Sequence, residues 1–383
     1  MATTVDLGRP DLKRSRGADR PVNPTRLTTA PRRVGLAVAA GALGTTALVV
    51  ATLVGKGAEA SAIADPGVVS RWGLVVLRMV YDLAAMATIG VLVVAVVLLS
   101  ATSGGLSPHS QRLVRIAGRW AALWAAAGAL SVPLVLSDVA GIPVWQVLAP
   151  DVLPLAADLP QTRALLSSAW LAALVAVGSR RCRSGALGWL LLVTGVGAFL
   201  PLLLTGHTGH GDQQAAAVVG LATHVLAAAV WLGGLLALGV HVRSADLLAE
   251  ALPRYSRVAL ACFALVAVSG VVMGWVALTE PQQLLTTAYG QLLLAKTAAL
   301  GSLGVLGHWH RQRTLPAAAA WRPRAFVRLA AVELVVMVAT AGLAVGLSRT
   351  APPDGGDHAA TITSTTTVAL GSQLPPRTPG ELQ

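Results

Sequence analysis

The sequence predicts an all-α fold, a polytopic transmembrane helical bundle of about nine spans with a cytoplasmic N-terminus and an extracytoplasmic C-terminus. First, 55% of the residues are hydrophobic and 12% are charged, with a mean hydropathy of +0.68. Second, apolar runs of about 20 residues recur, and they are apolar on every face, whereas barrel strands alternate with polar residues. Third, Lys and Arg gather in alternate loops. The net charge of +12 therefore indicates membrane topology, and nucleic acid is not an expected partner.

The elements are predicted in chain order from hydropathy and loop charge. Residues 1–33 form a basic, disordered cytoplasmic tail, and the N-terminal transmembrane helices occupy 34–200. A second transmembrane region covers 201–350, and a disordered extracytoplasmic tail covers 351–383. The nine spans are predicted at about 34–54, 74–100, 120–136, 164–178, 186–205, 215–240, 258–278, 292–307 and 329–347.

Three histidines are the candidate metal ligands. His207 and His210 lie in a Gly-rich turn, GHTGHG, which the loop charges place on the extracytoplasmic side. Their spacing of three puts two imidazoles on one side of a helical turn, and neutral imidazole suits copper, zinc, iron and nickel. His224 lies deeper, in the following apolar run, and we expect the three rings to meet at the outer mouth. The alternative is that the turn histidines are merely exposed and His224 hydrogen-bonds a neighbouring helix.

Four other ionisable residues lie in apolar runs, where charge is costly and indicates either pairing or function. Arg78 and Asp82 are separated by four residues in one predicted helix and can pair with each other. Lys296 and Glu333 lie on consecutive antiparallel spans, and we expect an ion pair between them. Both pairs have two open interpretations, a fixed structural pair or an intramembrane gate.

No sequence pattern indicates catalysis, because there is no HExxH and no Ser-His-Asp order, so we expect a protein that is not an enzyme. The second half resembles the CopD copper-resistance membrane protein family, of the actinobacterial type. The resemblance rests on GHTGHG, THVLAAAVWLGGLLAL, RYSRVALACFALVAVSGVVMGW, TAYGQLLLAKTAALGSLGVLG and RLAAVELVVMVATAGLAVGLSRTAPP. The region 201–350 is therefore predicted to be a CopD-like transmembrane region.

The resemblance implies a multi-pass plasma-membrane protein of copper homeostasis that moves copper inward or supplies it for cuproenzyme assembly. It implies a copper ion at His207, His210 and His224, and a separate extracytoplasmic copper-binding protein as partner. Two alternatives stay open. One is a haem-binding or cytochrome-oxidase-assembly membrane protein, and the other is a subunit of a copper-resistance complex that does not itself transport copper.

Overall fold

The structure is a computed structural model that describes residues 67–99, 105–150, 153–205, 212–242, 244–278 and 280–319. Among the described residues, seven helices are long and apolar enough to cross a membrane. They are α1 (Val68–Val93, continued by a π-helical turn over Val94–Leu98), α2 (Pro108–Ala140), α4 (Pro160–Arg181), α5 (Gly185–Leu204), α6 (Asp212–His241), α7 (Ala245–Ala277) and α9 (Ala288–Ala319). Short helices α3 (Val144–Val147) and α8 (Gln283–Thr286), and a 3₁₀ turn over Leu153–Ala157, lie in the connections.

The predicted all-α membrane fold is confirmed, and spans two to eight coincide with the seven long helices. Spans one and nine, both predicted tails, the His207/His210 turn and Glu333 lie outside the described residues. Successive long helices run in opposite directions. The end of α1, the start of α2, the end of α4 and the start of α5 therefore share one end of the bundle. We call it the arginine end because the parts of α2 and α4 nearest to it carry Arg112, Arg115, Arg119, Arg180 and Arg181.

The predicted ends of several helices were wrong, because hydropathy detects the membrane and not the helix. Helix α2 begins at Pro108, well before the predicted 120, because the Ser107 hydroxyl accepts the Ser110 amide (3.1 Å) and proline is favoured in a first turn. Helix α7 begins at Ala245 and continues through Pro253, so the polar segment predicted as a loop is helical. Both helices extend past the apolar run into the polar layer at the arginine end.

An aromatic core joins α1, α2, α4 and α5. Trp124 of α2 is fully buried and makes an edge-to-face contact with Tyr81 of α1 (centroids 5.8 Å apart) and a tilted contact with Phe199 of α5 (5.9 Å). The Tyr81 hydroxyl is 2.6 Å from the Ser168 hydroxyl of α4. Three helices thus meet at Trp124, and α4 joins them through the hydrogen bond between Ser168 and Tyr81.

Helix α6 joins this bundle to the helices that follow. Gly90 of α1 and Gly233 of α6 bring the two backbones into direct contact, and a Cβ on either residue would overlap the facing backbone. Glycine is required at such a close approach because any side chain would separate the helices. Helix α7 packs on α6, and α9 packs on the short helix α8 and on α7. Phe263 of α7 contacts Trp231 of α6 edge-to-face, with centroids 5.9 Å apart.

Candidate functional site

His224 lies in α6 on the side that faces α7, where its ring contacts a serine. The His224 Nδ1 atom is 3.1 Å from the Ser269 Oγ atom, and Gly270 leaves room for the ring. The Ser269 hydroxyl is also 2.6 Å from the Leu265 carbonyl oxygen, one turn earlier in α7. The ring is half-buried between the two helices.

These contacts determine which ring nitrogen is open. A serine hydroxyl has one proton, and the shortest contact of Ser269 is to a carbonyl oxygen, which only accepts. The hydroxyl therefore donates to Leu265 and accepts from His224, so the proton of the neutral imidazole lies on Nδ1. This leaves the Nε2 lone pair unprotonated, which is the state of a metal-ligating histidine whose other nitrogen donates to a fixed acceptor.

The depth of His224 along its helix follows from where α6 begins. Helix α6 begins at Asp212, a few residues before the predicted start of its span, and α5 ends at Leu204. At 1.5 Å per residue, His224 lies about 18 Å along the helix axis from Asp212. His207 and His210 lie outside the described residues, so the meeting of the three imidazole rings stays a prediction.

Lys296 lies on α9 and is half-buried. Helix α9 packs on α7, which carries Ser269, the hydrogen-bond partner of His224. Glu333, its predicted partner, lies outside the described residues, so the Lys296–Glu333 pair stays a prediction.

Arg78 and Asp82 contact each other in the first half of α1. The Arg78 Nε atom donates to the Asp82 Oδ2 atom at 2.9 Å, and the guanidinium also lies over the Tyr81 ring, 5.9 Å from its centroid. The side chains are 54% and 33% exposed within the described structure. The pair is therefore on the periphery of the described bundle, on α1, whereas His224 and Ser269 lie on α6 and α7.

Sequence reasoning missed Ser269. The sequence signal was a single serine next to Gly270 in an otherwise apolar run, but the rotation of α7 against α6 decides whether that serine meets His224. Among the described residues, no group of three or more His, Cys, Asp or Glu side chains is placed to hold a metal ion. The described residues thus contribute one candidate ligand, the His224 imidazole, and not a complete metal site.

His308, in the second half of α9, is exposed and its ring lies 2.9 Å from the Gln312 amide nitrogen.

The seven long apolar helices identify a multi-pass α-helical membrane protein, and the His224 imidazole lies within one of them. The expected location is the plasma membrane. Residues 249–347 match the family model of CopD, described as Copper resistance protein D, which confirms the predicted resemblance. The part of the chain from 249 to 347 is thus similar to the copper-resistance membrane proteins of the CopD family. The match covers α7 and α9 with Lys296 and extends to Glu333, and it begins after His207, His210 and His224. No curated protein and no solved structure matches the sequence significantly.

Proposed function

We propose that this protein transports copper inward across the plasma membrane, with histidines near the extracytoplasmic end as ligands. The observation that carries the proposal is the His224–Ser269 contact, from which we infer that the proton of this half-buried imidazole lies on Nδ1 and that the Nε2 lone pair is unprotonated. Imidazole is a good ligand for copper, and a histidine inside a membrane span is a functional candidate by default. The match to Copper resistance protein D supports copper as the cargo.

The route has two metal positions. His207 and His210 capture copper at the extracytoplasmic turn and pass it to His224, about 18 Å along α6 from Asp212. The ion then passes Lys296, whose positive charge opposes the approach of a second cation. The carboxylate of Glu333 offsets that charge, which gives the proposed Lys296–Glu333 pair a gating role rather than a purely structural one.

Three accompanying proposals complete this function. The protein is not an enzyme, copper is its cargo rather than a catalytic cofactor, and an extracytoplasmic copper-binding protein delivers the ion to the turn. A copper transporter binds its ion reversibly within the membrane and releases it unchanged, so copper is cargo and no reaction is catalysed. It also needs a protein that delivers copper on the extracytoplasmic side.

The test is copper entry into liposomes that contain the purified full-length protein and a trapped copper chelator. We expect His224→Ala to reduce entry by about tenfold or more, because it removes the prepared ligand. His308→Ala is the matched control, since this histidine is exposed in the second half of α9, and its entry rate should equal wild type. An unchanged rate for His224→Ala contradicts the route.

The same liposome assay separates one alternative, since a wild-type protein that moves no copper indicates a non-transporting subunit of a copper-resistance complex. Two further measurements use the purified protein. A Soret absorption band in the purified protein indicates a haem protein. Copper content of the wild type against His207→Ala/His210→Ala tests the capture step, and we expect the double variant to retain less copper.

A further inference from the structure

The arginine end of the bundle carries a group of exposed arginines along the contact between α2 and α4. Arg112, Arg115 and Arg119 are spaced by three and four residues and are all exposed, so they form one face of the first turns of α2. Arg180, in the last turn of α4, is exposed as well. We call these four residues the arginine face.

The register of the two helices places all four on the same side of the contact. Helices α2 and α4 are antiparallel and touch where a Cβ on Gly118 would overlap the Ser179 hydroxyl. Arg119 and Arg180 each follow one of these contact residues. Seen from one end, antiparallel helices turn in opposite senses, so residues that follow a mutual contact by one position lie on the same side of it.

The opposite side of this contact is covered, whereas the arginine side is open in the described part of the chain. Trp124 of α2 packs on Tyr81 of α1, and Gly178 of α4 faces Leu191 of α5. Along the open side, the arginine face of α2 continues into Ala122, Ala126 and Ala129, which are all exposed. This side therefore combines a polar, cationic end with a smooth apolar strip.

The arginines lie at the depth of lipid headgroups. Helix α2 has 33 residues, which is about 50 Å at 1.5 Å per residue, against a hydrocarbon core of about 30 Å. Its apolar run starts just after Arg119, and Trp120 at this boundary is 36% exposed, as expected of an interfacial tryptophan. The three arginines of α2 consequently extend out of the hydrocarbon on the side where the chain has its basic loops.

No acidic residue lies near the arginines along α2 or α4. The sequence has no Asp or Glu between Asp82 and Asp138, or between Asp158 and Asp212. Ion pairs among the described residues include Arg78–Asp82 and Arg254–Glu250, which lie on other helices. Guanidinium groups bind phosphate oxygens in a bidentate manner, and each basic residue near an anionic surface adds to lipid affinity.

We propose that the arginine face is a binding site for an anionic phospholipid. Its phosphate is held by the four guanidinium groups, and an acyl chain lies along Ala122, Ala126 and Ala129. This site is separate from the copper route, since His224 and Ser269 lie on α6 and α7, so either proposal can fail without the other.

The test is lipid binding to the purified full-length protein, by native mass spectrometry and thermal stability, with phosphatidylglycerol against phosphatidylcholine. We expect Arg115→Gln/Arg119→Gln/Arg180→Gln to weaken phosphatidylglycerol binding by about tenfold or more. The matched control is Arg181→Gln/Arg183→Gln/Arg257→Gln, which removes the same charge from exposed residues at the same end and should weaken binding much less. Equal losses in both triple variants would indicate unspecific attraction and overturn the site, as would no loss in either.

A second variant tests the site without changing charge. Ala126→Phe fills the apolar strip on an exposed position, so it should fold and still weaken phosphatidylglycerol binding. Inorganic phosphate is the probe for headgroup chemistry alone. If phosphate binds as tightly as the lipid, or if Ala126→Phe binds lipid like wild type, the phospholipid assignment is wrong.

Discussion

Two regions of the molecule differ in how much of their apolar surface is buried. One is the N-terminal bundle of α1 to α5, and the other is the CopD region, residues 249–347, which contains most of α7 and all of α9. In the described part of the chain, the apolar windows of α1 and α2 are 61% and 56% buried, whereas those of α7 and α9 are 22% and 11% buried. In lipid, helices associate through close packing rather than through exclusion of water. Among the described residues, the first region is therefore more closely packed than the second.

This difference matches the distribution of candidate chemistry. His224, Ser269 and Lys296 lie on α6, α7 and α9, while the aromatic core lies on α1, α2 and α5. Elements that move during binding or transport belong to the less stable parts of a structure. The N-terminal bundle is consistent with a rigid support, against which the helices with the candidate copper ligands can move.

The largest expected effect is on the aromatic core. Trp124→Ala removes a fully buried side chain and should lower the free energy of unfolding by about 3 kcal/mol, because the neighbouring rings cannot fill the cavity. Trp275→Ala in α7 is the control, since Trp275 is 84% exposed in the described structure and should change stability little. Thermal unfolding in detergent measures both. Equal destabilisation by the two variants would remove the proposed difference between the regions.

A smaller effect is expected where the two regions meet. Gly233→Ala places a methyl group against the Met86 carbonyl of α1 and should cost about 1–3 kcal/mol, because a backbone cannot move aside as a side chain can. Gly239→Ala in the same helix has open space around its Cβ and should be neutral or slightly stabilising. We expect the melting temperature of Gly233→Ala to lie below that of Gly239→Ala. Equal melting temperatures would show that α1 and α6 can move apart at their crossing without loss of stability.

The smallest expected effect is on metal affinity rather than stability. Ser269→Ala removes the acceptor that holds His224 in one tautomer, and partners of this kind typically affect metal affinity by about 10–100-fold. Ser302→Ala in α9 is the control, because Ser302 makes the same kind of hydrogen bond to the carbonyl one turn earlier (2.9 Å). Copper affinity is measured by competition with a chelator. If both serine variants bind copper like wild type, Ser269 does not position the ligand.

Hydropathy was sufficient to locate the seven long helices of the described residues, because bilayer thickness fixes the length of an apolar run. It was not sufficient for helix ends such as Pro108 and Ala245, which are set by capping and by polar residues that remain helical outside the membrane. The position of His224 inside a span was also readable from the sequence. Its contact with Ser269, like the Gly90–Gly233 crossing, depends on the rotation of one helix against another, which a single sequence does not specify.

The end of α1 shows how the two regions support each other. The Arg254 guanidinium of α7 donates to the Leu98 carbonyl of the π-helical turn at 2.9 Å. A cation there satisfies a carbonyl that has no partner within its own helix and offsets the negative end of the helix dipole. One arginine of α7 thereby completes the terminus of a helix that belongs to the other region.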